Sequence, residues 1–432
     1  MEKVENIIVG SGPAGRLAGL ELGKLKKEVL LIEKKYIAGN CLNEGCMVIC
    51  ALNEIARFTN SKKRYEKLGI LKGEIELNYE EITNKIKETQ AIIRKIHEKE
   101  NKSIGNKVIF SEAEVFEDNV YVNGESYAFE NLLIATGSKP IIPKIPGNEY
   151  GLTSKDILNI KKLPKKINII GAGEIGVELS SLFSSFGCEV NLIARGGILK
   201  HMDKDLKNYV EKKLLKDVNI YKNLEAIEIK KNKVITQNEE FEGKTLIATG
   251  RTPNSKLVEG ILELNEDKSI KVDPFMKSSK SNVYAAGDVV GGINLTTVAR
   301  KEGIIAARNM AGYSTIMDYT NIPLGLTLDM DASYTEISSE ISNNNENISI
   351  PGSAGPGSFW RVLTRDTGFS KIAYNKITGK IGGAYSISPS SVSDISYFSY
   401  LIEHGDLEDF NEEFIEIHPS TNVFQHLINA IH

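Results

Sequence analysis

The chain has 432 residues, 41% hydrophobic and 25% charged, with a formal net charge of −4. That balance suits a globular protein of about two to four domains and gives no electrostatic reason for nucleic acid or an anionic membrane as a partner. No run of about 18 apolar residues exists, which excludes a transmembrane helix. The four cysteines do not form a disulfide scaffold, so a reducing, cytoplasmic setting is expected, in which a close cysteine pair is catalytic or metal-binding rather than structural. A strand from Val4 to Val9 leaves no room for a signal peptide.

Taken in order, Asn6–Val9 reads as a buried parallel strand, bounded by glycine. The turn Gly10-Ser11-Gly12-Pro13-Ala14-Gly15 follows, then a helix over Arg16–Leu25 and a strand over Glu28–Ile32 that ends on Glu33. This is a complete βαβ dinucleotide unit, whose helix start offers free N–H groups to a pyrophosphate. Glu33 lies where an acid can hold ribose hydroxyls. Residues 79–100 carry Ile82, Ile86, Ile92, Ile93 and Ile96 at helical spacing, as a packing helix does. Asn131–Ser138 is a strand entering a turn, and Pro140, Pro143 and Pro146 mark a linker.

The pattern then repeats. Lys166–Ile170 is a strand, Gly171-Ala172-Gly173-Glu174-Ile175-Gly176 a second fingerprint, and a helix runs on through Phe186 to a strand at Glu189–Ile193. Leu246–Arg251 echoes Leu133–Ser138. From about residue 319 the signals are mixed α+β. Residues 342–358, rich in Ser, Asn, Gly and Pro, read as an exposed loop. Lys371–Ala384 reads as two strands joined at Thr378-Gly379, and Ser420–Ile431 as a helix opened by His418-Pro419.

Between the two fingerprints lies Cys41-Leu42-Asn43-Glu44-Gly45-Cys46. Two dinucleotide turns flanking a cysteine pair describe an electron path from nicotinamide to flavin to disulfide. On the cysteines alone a structural pair or half of a metal site stays open, although zinc sites usually show closer cysteines with further ligands nearby. Cys188 reads as a small buried hydrophobe.

Together these motifs resemble the pyridine nucleotide–disulfide oxidoreductases, among them dihydrolipoamide dehydrogenase and glutathione reductase. The resemblance implies an α/β fold: an FAD-binding domain over 1–147 and 272–318, an NAD(P)-binding domain over 148–271, and a C-terminal α+β dimerisation domain over 319–432. It implies a homodimer that acts on a small disulfide or a dithiol carrier and contains no metal. Gly10, Gly12, Pro13, Ala14, Gly15, Glu33 and Lys34 match the adenosine half of the FAD site. Gly39, Asn40, Ala135, Thr136, Gly137, Gly250, Arg251, Gly287 and Asp288 are further candidates for contacts to cofactor, the last two at the ribityl chain. Leu295, Thr296, Thr297 and Ala299 match the helix start under the flavin ring. Gly171, Gly173, Glu174, Ile175, Gly176 and Glu178 match the nicotinamide nucleotide site. Cys41 matches the thiol that attacks substrate and Cys46 the thiol beside the flavin, stabilised there as a thiolate at a helix start. His418 matches the acid–base histidine offered to the other subunit.

Three positions depart from the family pattern. After Cys46 the family continues with a proline and a lysine, and that lysine pairs with the glutamate matching Glu178; here the run is Met47-Val48-Ile49-Cys50. Glu178 therefore loses its partner, and Cys50, four residues after Cys46 on one helix face, is either a third redox thiol or an apolar filler. The glutamate five residues after the histidine is Val423, which leaves His418 unsupported. Finally, Glu33 lies 23 residues after Gly10, and the same step from Gly171 reaches Ala194, followed by Arg195 with Lys200 and His201 near. A missing acid beside an arginine favours NADPH over NADH. The expected activity is FAD-dependent NAD(P)H:disulfide oxidoreduction. Its alternatives are a diaphorase that reduces a quinone, a metal ion or oxygen, and a redox-sensing or scaffold subunit of a larger complex.

Overall fold

The computed structural model describes residues 2–336, 345–404, 415 and 423–431. They divide into two compact units. The first comprises residues 1–51, 76–163 and 246–318, the second 52–75, 164–245 and 319–432.

In the first unit, β1 (Glu2–Val9), α1 (Pro13–Lys24) and β2 (Val29–Glu33) form the expected βαβ unit. Every residue of β2 is buried, as a strand covered on both faces requires. Helix α2 (Gly39–Glu44) leads to α3 (Cys46–Lys67), and α4 spans Tyr79–Ser103. Strands β3 (Lys107–Phe110), β4 (Glu114–Val115), β5 (Asn119–Val122) and β6 (Glu125–Ile134) complete a sheet ordered β3-β2-β1-β6-β5-β4. Strands β4 and β5 are antiparallel, and β16 (Val283–Ala285) adds to β6 in parallel. Ile7, Leu30, Leu132 and Val283 share the core.

Pro140 does not stand in a linker. Ser138–Pro140 is strand β7, paired antiparallel with β15 (Arg251–Pro253), with Pro140 opposite Arg251. The two sequence echoes thus close on each other, and the short ladder places the proline at its end, where the missing N–H costs no interior bond.

In the second unit, β8 (Lys166–Ile170), α5 (Glu174–Ser185) and β9 (Glu189–Ala194) repeat the motif. Helix α6 (Lys204–Tyr209) and strand β10 (Asn219–Lys222) follow, β10 running parallel to β9. Strands β11 (Ala226–Lys230), β12 (Lys233–Thr236) and β13 (Glu240–Glu242) make an antiparallel meander, after which comes β14 (Lys244–Ile247).

The C-terminal part is an antiparallel sheet ordered β17-β18-β21-β20-β19, from β17 (Leu324–Leu326), β18 (Asp331–Tyr334), β19 (Asn345–Pro351), β20 (Phe369–Asn375) and β21 (Ile381–Ser388). The turn between β20 and β21 lies where Thr378-Gly379 placed it: the Asn375 side chain accepts from the Ile377 and Thr378 N–H groups, and Gly379 has φ +72°. The loop expected over 342–358 contains a strand instead. β19 pairs with β20 from Asn345–Asn375 to Pro351–Phe369, and Ile348 and Ile350, two residues apart, face the core. Alternation and a seven-residue ladder outweigh the polar composition here. Helices α8 (Ser391–His404) and α9 (Val423–Asn429) pack their Phe398 and Phe424 rings together on that core.

Helix α7 (Thr296–Met310) crosses α1 so closely that a Cβ on Gly303 would lie 2.2 Å from the Ala14 carbonyl oxygen. Backbone cannot step aside as a flexible side chain can. Gly303→Ala should therefore destabilise the protein by about 2 kcal/mol or more, read as a lower urea midpoint with unchanged slope.

Candidate active site

The site is built on the first glycine turn. Gly10 has φ +101° and donates its N–H to the Ile32 carbonyl at 2.8 Å. A Cβ on Gly15 would fall 1.9 Å from the Gly10 oxygen, so only glycine lets the helix pack on the turn. Gly12, by contrast, faces open space, its nearest neighbour being Gly39 Cα at 3.9 Å. The first turn of α1 holds no acid. Buried Glu33 accepts hydrogen bonds from the Ser11 N–H (2.8 Å), the Ser11 hydroxyl (2.6 Å) and the Lys35 N–H (2.8 Å), which fixes it over the turn. Lys34 is exposed and pairs with Glu112.

Ser138 gathers the next group. Its carbonyl accepts from Asn40 at 2.7 Å and from Arg251 Nη2 at 2.8 Å. Its hydroxyl accepts from Arg251 Nε at 2.7 Å and donates to Asp288. Gly287, at φ +81°, donates its N–H to buried Glu302 at 2.6 Å. Thr136 bonds the Asn254 carbonyl, and Gly137 and Gly250 both have positive φ. The residues named for this part of the site therefore do come together. Ser138 and Glu302 were missed; the repeat of Leu133–Ser138 in Leu246–Arg251 was the signal for Ser138.

The cysteine pair sits on a constrained loop. Ala38 and Gly39 both have positive φ, and a Cβ on Gly39 would meet Gly12 Cα at 2.7 Å. Cys41 lies in α2 and is half-buried, whereas Cys46 opens α3 and is exposed. Helix α4 braces the loop: Gln90 donates to the Leu42 carbonyl (2.8 Å), and Arg94 to the Asn43 side chain (2.8 Å), which itself holds the Gly39 carbonyl (2.8 Å). The isoleucine spacing predicted the helix; nothing in it marked Gln90 or Arg94 as supports of the cysteines.

Thr296, in the first turn of α7, brings its hydroxyl within 3.7 Å of Cys46 Sγ. The thiol of Cys46 donates toward Cys41, and this hydrogen bond is the main reason the Cys41 pKa falls to about 6. Burial opposes the shift, while the Thr296 hydroxyl and the charge of Arg300 favour it. Cys46 is pushed up in turn, first by the same bond. Cys50 stands near enough for its charge to oppose a thiolate at Cys41. Cys188 is buried, and burial pushes it up to about 11. Among the described residues no three His, Cys, Asp or Glu side chains cluster as a metal site.

The second turn has the geometry of the first. Gly171, at φ +106°, donates to the Ile193 carbonyl at 2.9 Å, as Gly10 does to Ile32. Ala194 therefore occupies the place of Glu33. The Arg195 side chain is 83% exposed, with Glu225 at 3.8 Å. A Cβ on Gly173 would meet nothing within 4 Å, leaving room at the start of α5, where Glu174 is exposed and Ile175 half-buried. Gly176 is buried. Glu178, without the family's lysine, accepts the Thr327 N–H at 2.7 Å. His418 lies outside the described residues, and Val423 is buried at the start of α9.

Residues 4–303 match the profile of the pyridine nucleotide-disulphide oxidoreductases. The chain belongs to that family. It is 32% identical to the uncharacterized protein MJ0636 of Methanocaldococcus jannaschii, with 96% of each chain covered. It is 30% identical to the dihydrolipoyl dehydrogenase of Geobacillus stearothermophilus over 97% of this chain and 94% of the relative. Its fold matches that of the Cu(II) complex of the HOCl-induced flavoprotein disulfide reductase RclA from Escherichia coli, with a TM-score of 0.87 at 24% identity over 100% and 99% of the two chains. The protein is accordingly a flavin-dependent NAD(P)H:disulfide oxidoreductase. Members of the family act on disulfide substrates and commonly form homodimers. FAD and a pyridine nucleotide fit the two turns, since Gly12 and Gly173 each leave open the space that a side chain would fill. No helix among the described residues is long and apolar enough to cross a membrane.

A lowered pKa keeps the thiolate present at lower pH. Iodoacetamide alkylation of Cys41 in the reduced protein should therefore rise with a midpoint near 6, against about 8.5 for a free thiol. Thr296→Val should move that midpoint upward. Peptide mass spectrometry across a pH series checks both, and a wild-type midpoint above about 8 contradicts the geometry.

Proposed function

We propose that the Cys41–Cys46 pair is the redox centre of this oxidoreductase, that Cys41 meets the substrate, and that NADPH is the donor. The observation that carries the reading is the seating of the pair on the braced loop between α2 and α3, with Cys46 Sγ 3.7 Å from the Thr296 hydroxyl at the start of α7. Bound FAD, reduced by the nicotinamide, would supply the two electrons that open the Cys41–Cys46 disulfide. Gly10, Gly12 and the first turn of α1 would hold its pyrophosphate, with Glu33 set for the ribose and Asp288 for the ribityl chain. Thr296 would face the ring from the start of α7. The α5 turn, through Gly171, Gly173 and Gly176, would hold the nicotinamide nucleotide.

In the oxidative half, the Cys41 thiolate attacks one sulfur of a disulfide substrate and expels the other as a thiolate. Cys46 then attacks Cys41, releases the second substrate thiol and re-forms the internal disulfide. Both leaving sulfurs need a proton or a stabilising charge. His418 of a second subunit would supply the proton, as the resemblance implies, in a cytoplasmic homodimer. The acceptor on this reading is a small disulfide or a dithiol carrier.

Support for NADPH lies in the register. Ala194 stands where an acid would hold a 2′-hydroxyl, and Arg195 follows it into solvent. A guanidinium there pairs with a 2′-phosphate in two parallel hydrogen bonds.

Anaerobic titration of the flavin-loaded protein tests the reading. NADPH should raise a long-wavelength thiolate–flavin charge-transfer band, and Cys46→Ser should abolish it. Bleaching of the flavin without the band would remove the cysteines from the electron path and favour a diaphorase. Arg195→Ala should raise the KM for NADPH about tenfold and leave that for NADH nearly unchanged; equal effects on both would reject the phosphate contact.

A further inference from the structure

Arg300 lies one helical turn beyond Thr296 on α7, the residue whose hydroxyl reaches the cysteine pair. Residues four apart share a helix face, so the same face carries the guanidinium toward the sulfurs. Its charge reaches Cys41, where it favours the thiolate, and Arg16, where it opposes a second cation. Arg300 is exposed, and no acid pairs with it among the described residues.

The surrounding charges do not cancel it. Arg16 is buried and bonds Glu100 at 3.0 Å, and the same Glu100 oxygen also holds His97 at 2.9 Å. Glu100 thus answers Arg16, and Arg300 is the cation left open to solvent. One thiolate at Cys41 balances it only until that sulfur bonds to substrate. At that moment the attacking charge moves to the leaving sulfur, and the guanidinium is free to meet an anion.

We propose that Arg300 makes this site selective for disulfides bearing a negative charge, a carboxylate above all, close to the sulfur pair. The inference rests on the reading of Cys41 as the thiol that meets substrate. A carboxylate can engage the planar guanidinium fork in two bonds. A neutral amide offers it one dipole, and an ammonium-bearing disulfide is repelled. The geometry thus separates two substrates of equal shape by charge alone.

The test uses the flavin-loaded enzyme with lipoate and lipoamide, which differ only in that charge, and with cystamine as the cationic probe. Wild type should prefer lipoate in kcat/KM and disfavour cystamine. Arg300→Gln should cut the lipoate-to-lipoamide ratio about fivefold or more, chiefly through KM, and Arg300→Lys should retain most of it. The preference should shrink in about 0.5 M salt. A ratio unchanged in Arg300→Gln overturns the proposal while leaving the disulfide activity standing.

A second measurement needs no turnover. In the reduced Cys46→Ser protein, alkylation at Cys41 by anionic iodoacetate is compared with that by neutral iodoacetamide. The ratio should fall by a similar factor when Arg300→Gln is added. If no disulfide is reduced yet the alkylation ratio depends on Arg300, the disulfide reading fails and the anion-selecting role at Cys41 stands. If neither ratio depends on Arg300, the proposal fails.

Discussion

The close crossing of α7 on α1 is the contact from which the site's chemistry follows. It exists because Gly303 has no side chain to meet the Ala14 carbonyl. Once the helices touch, the N-terminus of α7 has no freedom left. Thr296 stands 3.7 Å from Cys46 Sγ, and Arg300 follows one helical turn on. Glu302 on the same helix ties the Gly287 N–H, which sets Asp288 against Ser138. A single approach between two backbones thus holds both the Gly287 turn and the Thr296 hydroxyl in place.

A similar economy governs the cysteine loop. Ala38 and Gly39 turn the chain left-handed, and Gly39 passes Gly12 at near contact. The loop could relax only by moving away from the glycine turn. Gln90 and Arg94 of α4 prevent that by holding the Leu42 carbonyl and the Asn43 side chain. With the loop held, Cys46 stays 3.7 Å from the Thr296 hydroxyl. The Thr296 hydroxyl favours a thiolate at either sulfur, and the charge of Arg300 favours one at Cys41.

Much of this was legible because it rests on short-range rules. The glycine turns, the buried strands beside them and the cysteine pair are each written within a few residues. The Asn375 turn was legible for the same reason: its side chain caps the N–H groups two and three residues on. What the sequence hid depends on long-range pairing. Strand β19 is polar and looks like a loop until β20 lies beside it. Pro140 looks like a linker until Arg251 lies opposite. Arg300 sits in a helix whose pattern says only that it is amphipathic, and its importance appears when α7 is docked.

The departures from the family pattern can be weighed on the same footing. Without the family's lysine, Glu178 does not stand uncompensated; it caps the Thr327 N–H in its own unit. At the second turn, the departure is a clean exchange at one position. Gly10 and Gly171 make the same hydrogen bond to the strand alongside, so no slip in loop length separates Glu33 from Ala194. The acid is removed and a cation follows it, which reverses the sign of the charge offered at the ribose. The exchange puts a cation at the second turn of a protein whose net charge is −4. Bulk charge cannot produce that contrast. It is set residue by residue, as at the end of β9, where the Arg195 side chain stands 83% exposed with Glu225 at 3.8 Å.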